Sequence, residues 1–168
     1  MAEQEAIFIQ HIRENRGIIY KICNSYCANK SDREDLAQEI IYHLWRSFGS
    51  FDPAYKFSTW MYRVALNVAI SFYRQEKKLQ HHYPVSEDLI VFEETTTART
   101  EEEKNLQLLQ QFITELKEVD KAIILLYLDN HSHREMAAIT GFTETNIATR
   151  INRIKEKLRT NFLTNKNN

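Results

Sequence analysis

The chain has 168 residues, with 22 Lys and Arg against 23 Asp and Glu, a formal net charge of −1. Hydrophobic residues are 43% and charged residues 27%, which excludes a disordered chain, and three Gly with two Pro are too few for the turns of an all-β sandwich or barrel. The longest apolar run, residues 122–128, is far below the ~20 residues of a membrane-spanning helix; the acidic start Met-Ala-Glu-Gln-Glu is no secretory signal and two Cys are no disulfide framework, so the expected location is cytoplasmic.

A first helix is predicted over residues 5–27, where Phe8, Ile12, Ile19, Ile22 or Cys23, and Tyr26 recur at helical spacing. Ser31-Asp-Arg-Glu34 has the form of a capping box and opens a second helix with the stripe Leu36, Ile40, Leu44 and Phe48. Gly49 and Pro53 end it in a turn. A third helix starts near Ser58, carries Met61, Val64, Ala65, Val68, Ala69 and Phe72, and fades over residues 75–78. Residues 81–99 lack a helical period and read as a linker. A second capping box, Thr100-Glu-Glu-Glu103, precedes the seam Leu106, Leu109, Ile113 and Leu116, and a short apolar helix follows over residues 120–128. A third box, Ser132-His-Arg-Glu135, opens a helix with Met136, Ala137, Ala138 and Ile139, whose two alanines allow close packing on a partner helix. Gly141 stops it, and Thr143 caps a last helix that buries Ile147, Ile151, Ile154 and Leu158. The fold class is all-α: two small helical domains joined by a flexible linker, residues 1–79, 80–100 and 101–168, with a helix-turn-helix in the second domain.

Charge falls in blocks. Residues 54–80 carry Lys56, Arg63, Arg74, Lys77 and Lys78 against Glu76; residues 143–168 carry six cations against Glu144 and Glu156; residues 86–106 between them are acidic. Such blocks either solubilise helices or mark two anion-binding surfaces on a solvated connector. In the helix-turn-helix, the last helix fits a DNA major groove, with Thr145, Asn146 and Thr149 suited to base edges and Arg150, Arg153 and Lys157 to phosphates or guanine. On the third helix Arg63, Asn67, Ser71, Arg74 and Lys78 form one polar, basic row beside Trp60, Phe72 and Tyr73, a pattern suited to single-stranded nucleic acid, although Trp60 and Phe72 also read as core. On the second helix Asp35, Gln38, Glu39, Tyr42 and Arg46 make a polar face ending at Trp45, which by itself reads as solvated.

Read together, Asp35-Leu-Ala-Gln-Glu-Ile40 with Trp45, then Phe51-Asp-Pro53, then Phe57-Ser-Thr-Trp-Met-Tyr-Arg-Val-Ala65 with Asn67 resemble region 2 of an extracytoplasmic-function sigma factor, and residues 116–159 resemble region 4 of the same family. The resemblance implies that Asp35, Gln38, Glu39, Tyr42, Trp45 and Arg46 meet RNA polymerase core at the clamp of its largest subunit, with region 4 on the flap of the second largest. It implies that Lys56, Ser58, Thr59, Trp60, Arg63, Asn67, Ser71 and Arg74 recognise and hold open the −10 element as single strand. It implies that Ser132, Thr143, Thr145, Asn146, Thr149, Arg150 and Arg153 read the −35 element as duplex, and that an anti-sigma factor holds the protein inactive. Leu66 stands where the family commonly has Arg, Ser71 where it often has Asp, and Ala148 where Lys is frequent. No catalysis and no cofactor are implied.

Two rivals stand beside this reading. A helix-turn-helix regulator that binds duplex DNA without polymerase would share residues 132–159 but would not need the Asp35 and Phe57 segments. A metal site would recruit Cys23 and Cys27, four residues apart, with His81 and His82; the alternative is two thiols in a helical core, and no metal is expected. His131 and His133, flanking a helix cap, read as surface residues.

Overall fold

The computed structural model describes residues 1–82 and 100–167, with side chains described outside residues 79–82. The described residues hold eight α-helices and no strand: α1 (Ala2–Glu14), α2 (Arg16–Tyr26), α3 (Lys30–Ser47), α4 (Phe57–His82), α5 (Glu101–Glu115), α6 (Glu118–Leu128), α7 (His133–Thr140) and α8 (Glu144–Lys166), with a single 3-10 turn at Phe48–Ser50. The all-α class, the division into two helical domains and the helix-turn-helix of α7 and α8 agree with the sequence reading. Residues 83–99, which hold most of the expected linker and much of the acidic stretch 86–106, lie outside the described residues.

In the N-terminal domain α2, α3 and α4 pack together around Ile22, Leu36, Ile40, Leu44, Met61, Ala65 and Ala69, all at 0% exposure. The expected first helix is two helices. Asn15 leaves helical geometry at φ −111°, ψ 13°, and its side-chain amide and backbone N–H both donate to the carbonyl of His11, so the chain bends there. The start of α3 also differs: the N-cap is Asn29, whose side-chain oxygen accepts from the Asp32 N–H at 2.8 Å, and not Ser31. Asn29 is extended, as a cap must be, and Ser31 is already inside the first turn. The helix read as fading near residue 78 continues to His82.

In the C-terminal domain the capping boxes at Thr100 and Ser132 form as read, each with two reciprocal hydrogen bonds, and Thr143 caps α8 by accepting from the Asn146 N–H. Gly141 takes φ 82°, the left-handed conformation that ends α7 in one residue. Ile147, Ile151 and Ile154 are buried under α6 and α7, while Leu158 is half-buried. The α5 seam is shifted: Leu106 is 56% exposed and Phe112 takes a core place beside Ile113. Ala138 points outward, so only Ala137 serves the close approach.

The two domains touch. Helix α4 packs on α6 and α7, and α2 on α5 and α6. Lys121, 2% exposed at the head of the apolar α6, lies over the rings of Tyr73 at 4.6 Å and Tyr26 at 5.3 Å. Burial and the nearby Lys77 ammonium hold its pKa below the usual lysine value; the two ring faces partly replace its lost water, a cation–π effect worth about 2 kcal/mol when desolvated. Around this cage, Tyr26 donates to the Glu118 carbonyl, Arg74 Nε donates to Glu118 Oε1 at 3.0 Å, and Tyr62 Oη and Lys21 Nζ donate to the two oxygens of Asp129 at 2.6 and 2.8 Å. Burial pushes the Asp129 carboxyl up, but the Lys21 and Tyr62 hydrogen bonds outweigh it and hold it below the usual range.

Candidate nucleic-acid interface

Helix α4 is long enough to carry three faces. Met61, Ala65 and Ala69 enter the N-terminal core, and Tyr62 and Leu66, at 1% and 3% exposure, form a second buried row. Arg63, Asn67, Ser71, Arg74 and Lys78 remain exposed between them as one continuous row. Arg63 makes no ion pair with any described residue, whereas Arg74 is taken by Glu118 across the domain boundary. At the N-terminal end of this row sits a nest of rings: Phe48, Phe51, Phe57 and Trp60 lie with centroids 5.2 to 6.3 Å apart. His11 stacks on Phe57 at 4.4 Å from below. Trp60 is thus held within this cluster while keeping part of its surface, and Ser58 and Thr59 are half-buried beside it. Lys56 is exposed in the loop before α4, where an Asp52 side chain accepting the Ala54 N–H fixes a tight turn.

On α3, Asp35, Gln38, Glu39, Tyr42, Trp45 and Arg46 are all exposed. Asp35, Gln38, Glu39 and Tyr42 line a shallow open groove whose other wall is Phe72, a residue that the sequence offers both to the core stripe and to the basic row. Trp45 is fixed by the Phe8 ring at 5.0 Å and stays 41% exposed. A rigid indole beside an acidic groove is the form of a protein-binding ridge.

In the C-terminal domain, Thr145, Asn146, Thr149 and Arg153 are exposed along the first turns of α8. Ser132 and Thr143 spend their hydroxyls on capping, so they set the helix ends and leave little for a ligand. Arg150 is different from Arg153. Its Nη1 donates to Asp120 Oδ1 at 3.0 Å, its Nε donates to Asn146 Oδ1 at 2.9 Å, and its guanidinium lies 4.9 Å from the centre of the Phe142 ring. It ties α8 to α6, and Arg153 has no ion-pair partner among the described residues.

The groups outside these rows sort differently. Cys23 and Cys27 are free and buried in the helical core, where burial pushes the thiols up to about 11 and about 12. No group of three metal-ligating side chains occurs among the described residues, and the side chains of His81 and His82 lie outside them. His133 is exposed, but His131 is enclosed, contrary to the surface reading: its ring stands edge-on to Tyr62 at 5.1 Å, with Asp129 and Glu135 oxygens at 3.8 and 3.4 Å. Among the described residues no helix is long and apolar enough to cross a membrane.

The residues missed by sequence reading are those of the domain contact: Tyr62, Glu118, Lys121 and Asp129. Two signals were available. Tyr62 and Leu66 add apolar residues to a helix whose core stripe is already complete, and Lys121 interrupts an otherwise apolar stretch.

Comparison with known proteins gives two family matches, Sigma-70 region 2 over residues 11–79 and Sigma-70 region 4 over residues 106–158. The chain is 32% identical over 151 residues to the extracytoplasmic-function RNA polymerase sigma factor SigW of Bacillus subtilis, covering 84% of this chain and 81% of that protein. It is 26% identical to SigM of the same organism, covering 84% and 86%. Its fold is like that of RpoE of Bartonella quintana, solved with the anti-sigma factor NepR, at a TM-score of 0.65 and 20% identity over 92% of this chain and 96% of the other. CnrH, solved with the cytosolic domain of CnrY, gives the same TM-score and identity over 93% of this chain and 87% of the other.

Proposed function

The chain belongs to the sigma-70 family, in its extracytoplasmic-function group, and from that premise we propose that it binds RNA polymerase core, directs it to specific promoters and promotes their melting. The observation that carries this reading is the presence of region 2 and region 4 in family order on one chain, each with an exposed cationic helix row. Residues 1–79 form the core-binding and −10 domain, residues 80–100 the connector and residues 101–168 the −35 domain. The α3 groove with Trp45 is the contact for the polymerase clamp, and region 4 is the partner of the flap. A regulator that binds duplex DNA alone would leave the α3 ridge and the α4 row without a task.

The protein is no enzyme in this reading; it supplies binding energy in two places. Opening a duplex loses about 1–2 kcal/mol of stacking per base-pair step. Capturing the freed bases on rings such as Trp60, at about 1–3 kcal/mol each, with Lys56, Arg63 and Asn67 along the backbone, offsets that loss. On α8, Thr145, Asn146 and Thr149 meet base edges and Arg153 meets a phosphate or a guanine, while Arg150 holds the helix at its angle. The protein acts where polymerase does, in the cytoplasm, and an anti-sigma factor is its expected regulator, the kind of partner with which RpoE was solved.

Run-off transcription tests the reading directly. Core polymerase with the purified chain is expected to yield discrete promoter-dependent transcripts from genomic fragments of the source organism, and neither component alone does so. Absence of any such transcript, with the chain shown to be folded, refutes it.

A further inference from the structure

We propose that Arg150 is a positioning residue that fixes the Asn146 side-chain amide with its NH2 group outward, so that Asn146 reads a guanine in the −35 duplex. This deepens the reading of α8 as the helix that enters the major groove, and rests on it.

A guanidinium holds five N–H donors and no acceptor, whereas a side-chain amide holds two donors and one acceptor oxygen. The amide atom that faces Arg150 Nε at 2.9 Å is therefore the oxygen, Asn146 Oδ1. The planar amide then turns its nitrogen away from residue 150. Asn146 is exposed, and among the described residues its NH2 donates to no protein group.

On an ordinary helix surface an Asn and an Arg four residues apart exchange their partners with water. Here Arg150 is held. Its Nη1 donates to Asp120 Oδ1 of α6 at 3.0 Å, the Arg150 and Asp120 side chains are only 27% and 17% exposed, and the guanidinium lies 4.9 Å from the centre of the Phe142 ring. One arm of the fork is tied to a neighbouring helix and the other meets Asn146. The charge of Arg150 is spent on Asp120, so the residue acts on DNA through Asn146.

The polarity of the amide selects a base. In the major groove guanine presents two adjacent acceptors, N7 and O6; adenine presents N7 beside an N6 amino donor; cytosine presents an N4 amino donor. An outward NH2 matches guanine. The adenine amino group needs an acceptor, and Oδ1 is already engaged. Cytosine sets donor against donor. Thr149, three residues on and along the same face, has the opposite polarity: its hydroxyl donates to the Thr145 carbonyl at 3.0 Å, which leaves lone pairs and a methyl group for a ligand. Neighbouring positions of α8 thus carry fixed and opposite hydrogen-bonding character before DNA arrives, and less side-chain freedom is lost on binding.

Selection of bound duplexes tests the guanine contact. Holoenzyme made from core polymerase and the full chain enriches duplexes from fragmented genomic DNA of the source organism, and each base pair of the enriched −35 site is then varied in turn. One position is expected to favour guanine over adenine and over cytosine by at least about 5-fold, the low end for a good base contact. Asn146→Asp puts an acceptor where the outward donors were, at an exposed position, and is expected to move that preference to cytosine or adenine while the other positions keep theirs. Arg150→Met frees the amide to take adenine through both its atoms, so the preference for guanine over adenine at the same position is expected to vanish. An Arg150 that only braces the fold would instead lower affinity for all bases there alike. If circular dichroism shows Arg150→Met unfolded, Arg150→Lys, which keeps a charge for Asp120 and lacks the fork, carries the same expectation. Base preferences unmoved by Asn146→Asp, or a responding position that favours cytosine or adenine in the wild type, overturn the guanine contact. A guanine preference kept by a folded Arg150 variant overturns the positioning role. Enrichment of no sequence overturns the groove reading of α8 and this contact with it, a result distinct from failure of the amide alone.

Discussion

Arg150 and Arg153 lie three residues apart on one helix and do different work. The Arg150 guanidinium is held by Asp120, Asn146 and the Phe142 ring, whereas Arg153 is exposed and has no described ion-pair partner. Replacing Arg153 with Ala is expected to weaken −35 duplex binding by the holoenzyme by roughly 1–3 kcal/mol with an unchanged melting temperature. Replacing Arg150 unpairs Asp120, so binding and melting temperature are expected to fall together, the latter through loss of a charged hydrogen bond worth about 1.5–3 kcal/mol. Binding titrations and calorimetry on the two variants check this; identical profiles for both would remove the distinction. The thiols give a second residue-scale prediction. Cys23 and Cys27 keep their protons up to about 11 and about 12 when folded but ionise from about 9 when unfolded. Above pH 9 the folded state therefore binds more protons, and stability falls as pH rises, by up to ~1.4 kcal/mol per pH unit for each thiol. Urea unfolding at pH 8 and pH 10 should show the drop, and a Cys23→Ala, Cys27→Ala chain should show a smaller one.

Helix boundaries show what local sequence does and does not settle. The boxes at Thr100 and Ser132 were legible because a capping hydroxyl and a Glu three residues on must satisfy each other's backbone groups whatever the rest of the chain does. The box at Ser31 has the same letters, yet Asn29 caps α3, since two candidate caps in one turn compete and only the outer one has extended backbone. Asn15 broke the first helix using a side-chain bond that periodicity does not register. Gly141 was readable as a stop, and its φ of 82° makes the reason testable. Nothing lies within 4 Å of a Cβ added there, so Gly141→Ala is expected to destabilise by about 1–2 kcal/mol through backbone strain alone, measurable by thermal unfolding. On α3, charge reversal at Asp35 and Glu39, both exposed, should leave helicity intact and lower capture of core polymerase in a pull-down. Equal capture would return that face to the solvated reading.

At the scale of the whole chain, the two domains were legible and their contact was not. Periodicity reports that a helix has an apolar face; it does not say whether the cover comes from a neighbour in sequence or from a helix fifty residues away. Tyr62 and Leu66 therefore passed as surplus to a core stripe that Met61, Ala65 and Ala69 already complete. Charge blocks, by contrast, survive folding, because cations on exposed helix faces stay there: Arg63, Lys78, Arg153 and Lys157 are all exposed as read. With about six phosphate contacts shared between the two rows, promoter affinity of the holoenzyme is expected to fall with a log–log salt slope of about −5, and Arg63→Ala or Arg153→Ala should each reduce its magnitude by about 1. A slope near zero would remove the electrostatic account of both rows. The buried face of α4 also has a history within each molecule's birth. Residue 66 leaves the ribosome well before residues 118–131, and at about 5–20 residues per second the delay is roughly 3–13 s. During that interval Tyr62 of the nascent N-terminal domain lacks the Asp129 carboxylate and the His131 ring that the C-terminal helices later bring to it.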